Sequence, residues 1–129
     1  MYNEILLDKN SHPLYRGRLS DFTKEIKLKN ASCGDEISVY LKIEDNKIID
    51  GSFNGIGCAI SQASTDIMLG AIIGKSIKEA EEICKTFLDT FINEPKNLCK
   101  LGEAAALEGV SHMPARTKCA TLPWQIFKS

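Results

Sequence analysis

The chain has 129 residues and 14.2 kDa, is 43% hydrophobic and 26% charged, and sets 16 basic residues against 17 acidic ones for a net charge of −1. This is one domain's worth of ordinary globular composition. It excludes disorder, a fibrous repeat and the basic excess that binding to a phosphate backbone requires. Five cysteines, with no export signal in the first eight residues, argue against a secreted disulfide framework, and no apolar run nears the ~18–20 residues of a membrane span. The expectation is a single domain over 1–129, cytoplasmic and monomeric, with reduced thiols and no nucleic-acid or membrane partner.

Tyr2, Ile5 and Leu6 fall at helical spacing and predict a short helix ending before Pro13. Residues 14–23 carry no period and read as an irregular connection. Strand character begins at Lys24–Lys29, returns over Ile37–Ile43, and, after the turn sequence Glu44–Lys47, extends through Phe53. The period then changes. Ile60, Ala63, Ile67, Ala71 and Ile72 predict an amphipathic helix closed at Gly74. Ser76 and Glu79 form a capping box for the next helix, whose buried face is Ile77, Ala80, Ile83, Cys84, Phe87, Leu88 and Phe91. Asn93–Cys99 reads as a loop, and Leu101–Leu107 as a short helix stopped near Gly109. Pro114 opens a last helix carrying Ala115–Ala120, and Pro123 ends it, leaving Trp124, Ile126 and Phe127 to pack on the body. Strands followed by helices predict an α+β domain: a three-stranded antiparallel sheet with helices packed on one face.

Function begins to show in where the thiols stand. Cys33 lies in a polar turn between two strands, and Gly34 lets Asp35 bring an oxygen to whatever Cys33 binds. Cys58 follows Gly55-Ile56-Gly57 and opens a helix, where exposed N–H groups favour a thiolate. Cys119 follows Arg116 and Lys118, two cations that favour the same form. Three such thiols with one carboxylate make an S3O donor set suited to zinc or to an iron–sulfur cluster. The cysteines are 25 and 61 residues apart, so on spacing alone a shared site and three unrelated reduced thiols both stand. Cys84, on an apolar helix stripe, reads as core filler. Cys99 reads as a packing or surface residue, and His112 and His12 as surface or packing histidines rather than ligands. The glycines before Cys58 lack the rest of a dinucleotide fingerprint, and nothing supplies a third group for a Cys–His nucleophile.

Taken together, Asn30-Ala31-Ser32-Cys33-Gly34-Asp35, Gly55-Ile56-Gly57-Cys58-Ala59-Ile60-Ser61 and Arg116-Thr117-Lys118-Cys119-Ala120-Thr121-Leu122 resemble the three cysteine motifs of the IscU/NifU-N-terminal family of iron–sulfur assembly proteins. Lys118 stands where the IscU branch has histidine, and Leu107–Ser111 with Pro114–Arg116 looks like the insertion that marks the SufU branch. Ala31 departs from the family's usual proline. Residues 1–12 match less well.

The resemblance implies a SufE/NifU-like fold and a zinc site of Cys33, Asp35, Cys58 and Cys119. It implies a SufS-type pyridoxal-phosphate cysteine desulfurase as partner, downstream iron–sulfur assembly proteins, and Cys33 as acceptor of persulfide sulfur. On that reading a desulfurase side chain displaces Cys33 from zinc, and the freed thiolate attacks the persulfide, with Arg116 stabilising the thiolate or docking the partner. Such a protein is a sulfurtransferase-like acceptor rather than a stand-alone enzyme. The alternative is a scaffold in which Cys33, Cys58 and Cys119 hold iron or a transient [2Fe–2S] cluster, with Asp35 keeping it labile. A third reading is an interaction domain merely stabilised by zinc.

Overall fold

The computed structural model describes residues 13–17, 19–30, 34–114 and 116–127, with the backbone alone at 99 and 100. The expected N-terminal helix, His12 and Cys33 lie outside the described residues, as does the side chain of Cys99. Among the described residues, β1 (Lys24–Asn30), β2 (Asp35–Glu44) and β3 (Lys47–Ile56) form an antiparallel sheet in the order β1-β2-β3. The β2–β3 hairpin turns through Asp45 and Asn46, both at positive φ (52° and 63°). Those two residue types tolerate the left-handed conformation that a two-residue hairpin demands.

Alternation decides which face is covered. Ile26, Ile37, Val39, Leu41, Ile48 and Phe53 are buried in the core, with α1 (Ala59–Ile72) lying against β3 and α2 (Ile77–Asn93) contributing to the same core. The other face is mostly exposed, but the stretch read as an irregular connection crosses part of it. The Phe22 ring lies 5.0 Å from that of Tyr40, and Ser52 Oγ accepts the Leu19 N–H at 2.9 Å. Tyr15–Gly17 also bonds along β3: Phe53 N–H donates to the Tyr15 carbonyl, and Gly17 N–H to the Phe53 carbonyl. Three residues are too few to show a period, so the sequence gives no sign of this pairing.

The helix α1 departs from its expected amphipathic form. Besides Ile60, Ala63, Ile67 and Ile72 it buries Ser61, Ser64, Thr65 and Asp66. It is a central helix enclosed on nearly all sides, and hydrogen bonds lower the cost of burying its polar groups: Ser64 donates to the Ala120 carbonyl, Thr65 to the Ser61 carbonyl, and Asp66 Oδ1 accepts the Tyr15 N–H. Gly74, at φ +91°, follows its end as expected. The capping box of α2 is present, with Ser76 Oγ accepting Glu79 N–H and the Glu79 carboxylate accepting Ser76 N–H, each at 3.1 Å.

Beyond α2 the expectations need correcting. Pro95–Lys100 forms a 3₁₀ turn within the expected loop, with Pro95 at its first position. The short helix expected at Leu101–Leu107 and stopped near Gly109 is a 3₁₀ helix over Gly102–His112, which passes through Gly109. Its apolar residues explain why. Ala104, Leu107 and Val110 are buried and Leu101 and Met113 pack on the core at three-residue spacing, with Ala106 buried beside that line. A helix with three residues per turn stacks those side chains on one edge, whereas 3.6 per turn would sweep them away from it. The last helix, α3 (Thr117–Thr121), starts three residues after Pro114 and runs into a 3₁₀ turn over Leu122–Gln125. Trp124 then stacks on Phe87, ring centroids 3.9 Å apart.

Candidate metal centre

The strand register ends where the site begins. Asn30 and Asp35 are the final pair of the β1–β2 ladder and are buried on the core side of the sheet, and Cys33 lies between them in sequence. On the other side of β2 the last pair is Glu36 with Ile56, which brings Gly57 and Cys58 alongside Asp35. Cys58 then caps α1: Ser61 N–H donates to its Sγ at 3.4 Å, and Ser61 Oγ to its carbonyl at 3.0 Å. Gly57 is obligatory for this approach, since a Cβ there would stand 2.5 Å from Ser61 Oγ and 3.3 Å from Asp35 Oδ1.

Cys119 arrives from the far end of the chain on α3, fully buried. Its neighbour Ala120 is bound through its carbonyl to Ser64 Oγ at 2.6 Å, and Ser64 Oγ in turn accepts the Trp124 indole N–H at 2.8 Å. The ligand-capable atoms of Asp35, Cys58 and Cys119 lie within 4.8 Å of one another. Tetrahedral zinc, with Zn–S of about 2.3 Å, sets neighbouring donors about 3.5–4 Å apart, so a shift of less than ~1.5 Å would close this group on an ion. Two sulfurs and a carboxylate oxygen suit zinc or iron, and the donor set therefore fits the implied metal.

The Asp35 carboxylate is 1% exposed and held from both sides. Its Oδ1 accepts the Cys58 backbone N–H at 3.0 Å, and its Oδ2 the Asn30 Nδ2–H at 3.4 Å. Asn30 Nδ2 also lies 3.9 Å from Cys119 Sγ. Sequence reasoning gave Asn30 no role, although antiparallel pairing across a four-residue turn would have set it opposite Asp35. Next to Cys58, Gln62 donates to the Gly57 carbonyl at 2.8 Å and accepts from the Arg16 guanidinium, so the glycine loop is supported from outside as well.

Of the other residues singled out in the sequence, Cys84 is core filler, and burial pushes its thiol up to about 12. His112 is exposed at the end of its 3₁₀ helix, and the described group of donors does not include it. Lys118 is exposed and Arg116 half-buried at the start of α3, where its N–H donates to the Met113 carbonyl at 2.7 Å. No described helix is long and apolar enough to cross a membrane.

Residues 1–120 match the family described as the NifU-like N terminal domain. The chain is 39% identical over 128 residues to the iron–sulfur cluster assembly scaffold protein IscU of Thermotoga maritima, covering 99% of this chain and 90% of that one. It is 38% identical over 126 residues to the zinc-dependent sulfurtransferase SufU of Bacillus subtilis, covering 97% and 85%. Its fold superposes with a TM-score of 0.88, at 36% identity, on a crystal structure described as an iron–sulfur cluster assembly scaffold protein for the SUF system from Fervidobacterium islandicum, covering 98% and 93%.

Proposed function

The chain belongs to the NifU-like N-terminal domain family, and we propose that within it this protein is a zinc-dependent acceptor of sulfur for iron–sulfur cluster assembly. The donor of that sulfur is a pyridoxal-phosphate cysteine desulfurase of the SufS type. One observation carries the reading: a carboxylate and two thiols from three separate stretches of chain converge within 4.8 Å. Asp35, Cys58 and Cys119 would hold the ion, with Cys33, between Asn30 and Asp35 in sequence, as fourth ligand. Bound zinc would keep its cysteine ligands deprotonated at neutral pH.

The transfer itself belongs to Cys33. Its thiolate attacks the terminal sulfur of the desulfurase persulfide, a new S–S bond forms on Cys33, and the desulfurase cysteine leaves as a thiolate. Electrons balance without an outside oxidant. The other two cysteines of the site take no part in that exchange: Cys119 is enclosed, and the half-buried Cys58 has its sulfur engaged by the Ser61 N–H. Arg116, beside Cys119 in sequence, is assigned to docking the partner or steadying the Cys33 thiolate. Added to a desulfurase turning over cysteine, the protein should accelerate sulfide or alanine release, and Cys33→Ala should abolish the acceleration. Full stimulation by Cys33→Ala would refute the relay.

The mixed donor set favours a second reading, a scaffold for a transient [2Fe–2S] cluster held by Cys33, Cys58, Cys119 and Asp35. A carboxylate among thiolates makes a cluster easier to release than four thiolates would. Anaerobic reconstitution followed by transfer to an apo-ferredoxin separates the two, and failure to form a transferable cluster rejects the scaffold.

A further inference from the structure

We propose that Asn30 is a positioning residue of the centre, its side-chain amide holding the Asp35 carboxylate against Cys119. The inference rests on the metal-binding reading above and adds a residue to it. Asn30 is 8% exposed, and its Nδ2 lies 3.4 Å from Asp35 Oδ2 and 3.9 Å from Cys119 Sγ. Both neighbours are acceptors, which settles the orientation of the amide: the NH₂ points into the site, because the carbonyl oxygen would meet two electron-rich atoms there. One NH₂ carries two hydrogens, one for each acceptor.

The placement gives this contact leverage. Asn30 and Asp35 are the last register pair of β1 and β2, so a bond between their side chains fixes the end of that ladder, where the Asp35 carboxylate faces Cys58 and Cys119. Asn30 and the Cys58 N–H take one carboxylate oxygen each, which sets the plane of the Asp35 carboxylate. The reach to Cys119 then ties β1 to a helix from the other end of the chain. Chemistry favours asparagine here. Aspartate would set another negative charge beside a carboxylate and a thiolate, and lysine would bring a cation that competes with the metal. A neutral donor eases the repulsion among the anionic ligands and leaves their metal-facing lone pairs open.

The test is zinc affinity, measured by competition with a chromophoric chelator, for the full chain, Asn30→Leu, Asn30→Gln and Cys58→Ser. Leucine keeps a similar volume without a donor, and glutamine keeps the donor on a longer arm. Asn30→Leu should bind the same amount of zinc about 10-fold more weakly, at the low end of the ~10–100-fold that loss of such supporting groups causes, and Asn30→Gln should recover part of it. With cobalt(II) in place of zinc, the thiolate-to-metal absorption band of Asn30→Leu should move to longer wavelength, because the Cys119 sulfur loses a donor. Should Asn30→Leu lose its native circular dichroism, Asn30→Ala, which adds no bulk, carries the same comparison. Affinity within about twofold of the parent, or a weakened affinity with an unmoved band, overturns the inference while leaving the metal site standing. Failure of the parent to bind zinc, or a Cys58→Ser variant that binds as well as the parent, overturns the site itself.

Discussion

Replacing Ser64 with alanine removes one hydroxyl on which two other buried groups depend. Its Oγ donates to the Ala120 carbonyl at 2.6 Å and accepts the Trp124 indole N–H at 2.8 Å, and Ser64, Ala120 and Trp124 are 0%, 0% and 2% exposed. A buried donor or acceptor stripped of its partner costs about 1–3 kcal/mol. Alanine's better helix propensity returns roughly 0.5 kcal/mol, so two orphaned groups leave a net loss of about 1.5–5.5 kcal/mol. For a chain of this size that is a fall in Tm of roughly 6–22 °C. Urea unfolding followed by the fluorescence of the single tryptophan reads the loss where it occurs. The midpoint should drop with little change in slope. Because Ala120 follows Cys119 directly, zinc affinity should fall with it. Ser111→Ala supplies the contrast, since that hydroxyl donates to the Glu108 carbonyl from a half-buried position and its loss should cost no more than about 0.5 kcal/mol. A loss below ~0.5 kcal/mol for Ser64→Ala would mean that the two groups find other partners, and the anchor assigned to Cys119 would be wrong.

Gly57→Ala places a Cβ 2.5 Å from Ser61 Oγ and 3.3 Å from Asp35 Oδ1, so it should weaken zinc binding and cost about 1–3 kcal/mol; unchanged affinity in chelator competition would contradict the geometry of the loop. Burial raises the Cys84 thiol from its ordinary 9.0 to about 12. Its neutral form therefore contributes stability in full below pH 9, and that contribution is lost as pH rises towards 12; the alkaline decline in urea midpoint should be shallower in Cys84→Ala, and native Cys84 should resist alkylation until the chain unfolds. Glu79 is held below its ordinary 4.5 by the Ser76 N–H and hydroxyl, so the stability gap between the parent and Glu79→Gln should be full above pH 4.5 and close as pH falls through the lower folded value. Ser76→Ala should cost about 1 kcal/mol at neutral pH, measured by the same unfolding curves.

The parts of the fold legible in the sequence are those whose period matches a regular element. Alternation at Ile37–Ile43 gave β2, and Ser76 with Glu79 marked the start of α2. The 3₁₀ helix over Gly102–His112 was just as periodic, with apolar residues at 101, 104, 107, 110 and 113, but its period is three. An expectation framed only in twos and three-point-sixes reads that stretch as a broken α-helix. The interior of α1 was missed for a different reason. Ser61, Ser64, Thr65 and Asp66 look solvent-facing by composition, and only partners distant in sequence, such as Ala120 and Tyr15, make their burial tolerable.

The candidate centre divides the same way. Cys58 and Cys119 were marked by their own neighbourhoods, and Asp35 by its proximity to Cys33 in sequence. Their convergence depends on strand register and on the Ser64–Ala120–Trp124 anchor, neither of which is a local property. Asn30 escaped notice because asparagine before a turn is so readily read as turn chemistry. His112 stands exposed at the end of its 3₁₀ helix and is not among the described group of donors.

The central claim is that the metal-ligand group exists to present Cys33 as a sulfur acceptor. Incubation with a pyridoxal-phosphate cysteine desulfurase and cysteine, followed by peptide mass spectrometry without reductant, tests it directly. One added sulfur atom should appear on the peptide that contains Cys33 and none on those containing Cys84 or Cys119. Sulfur found on Cys58 or Cys119 instead, or on no cysteine while the desulfurase turns over, would contradict it.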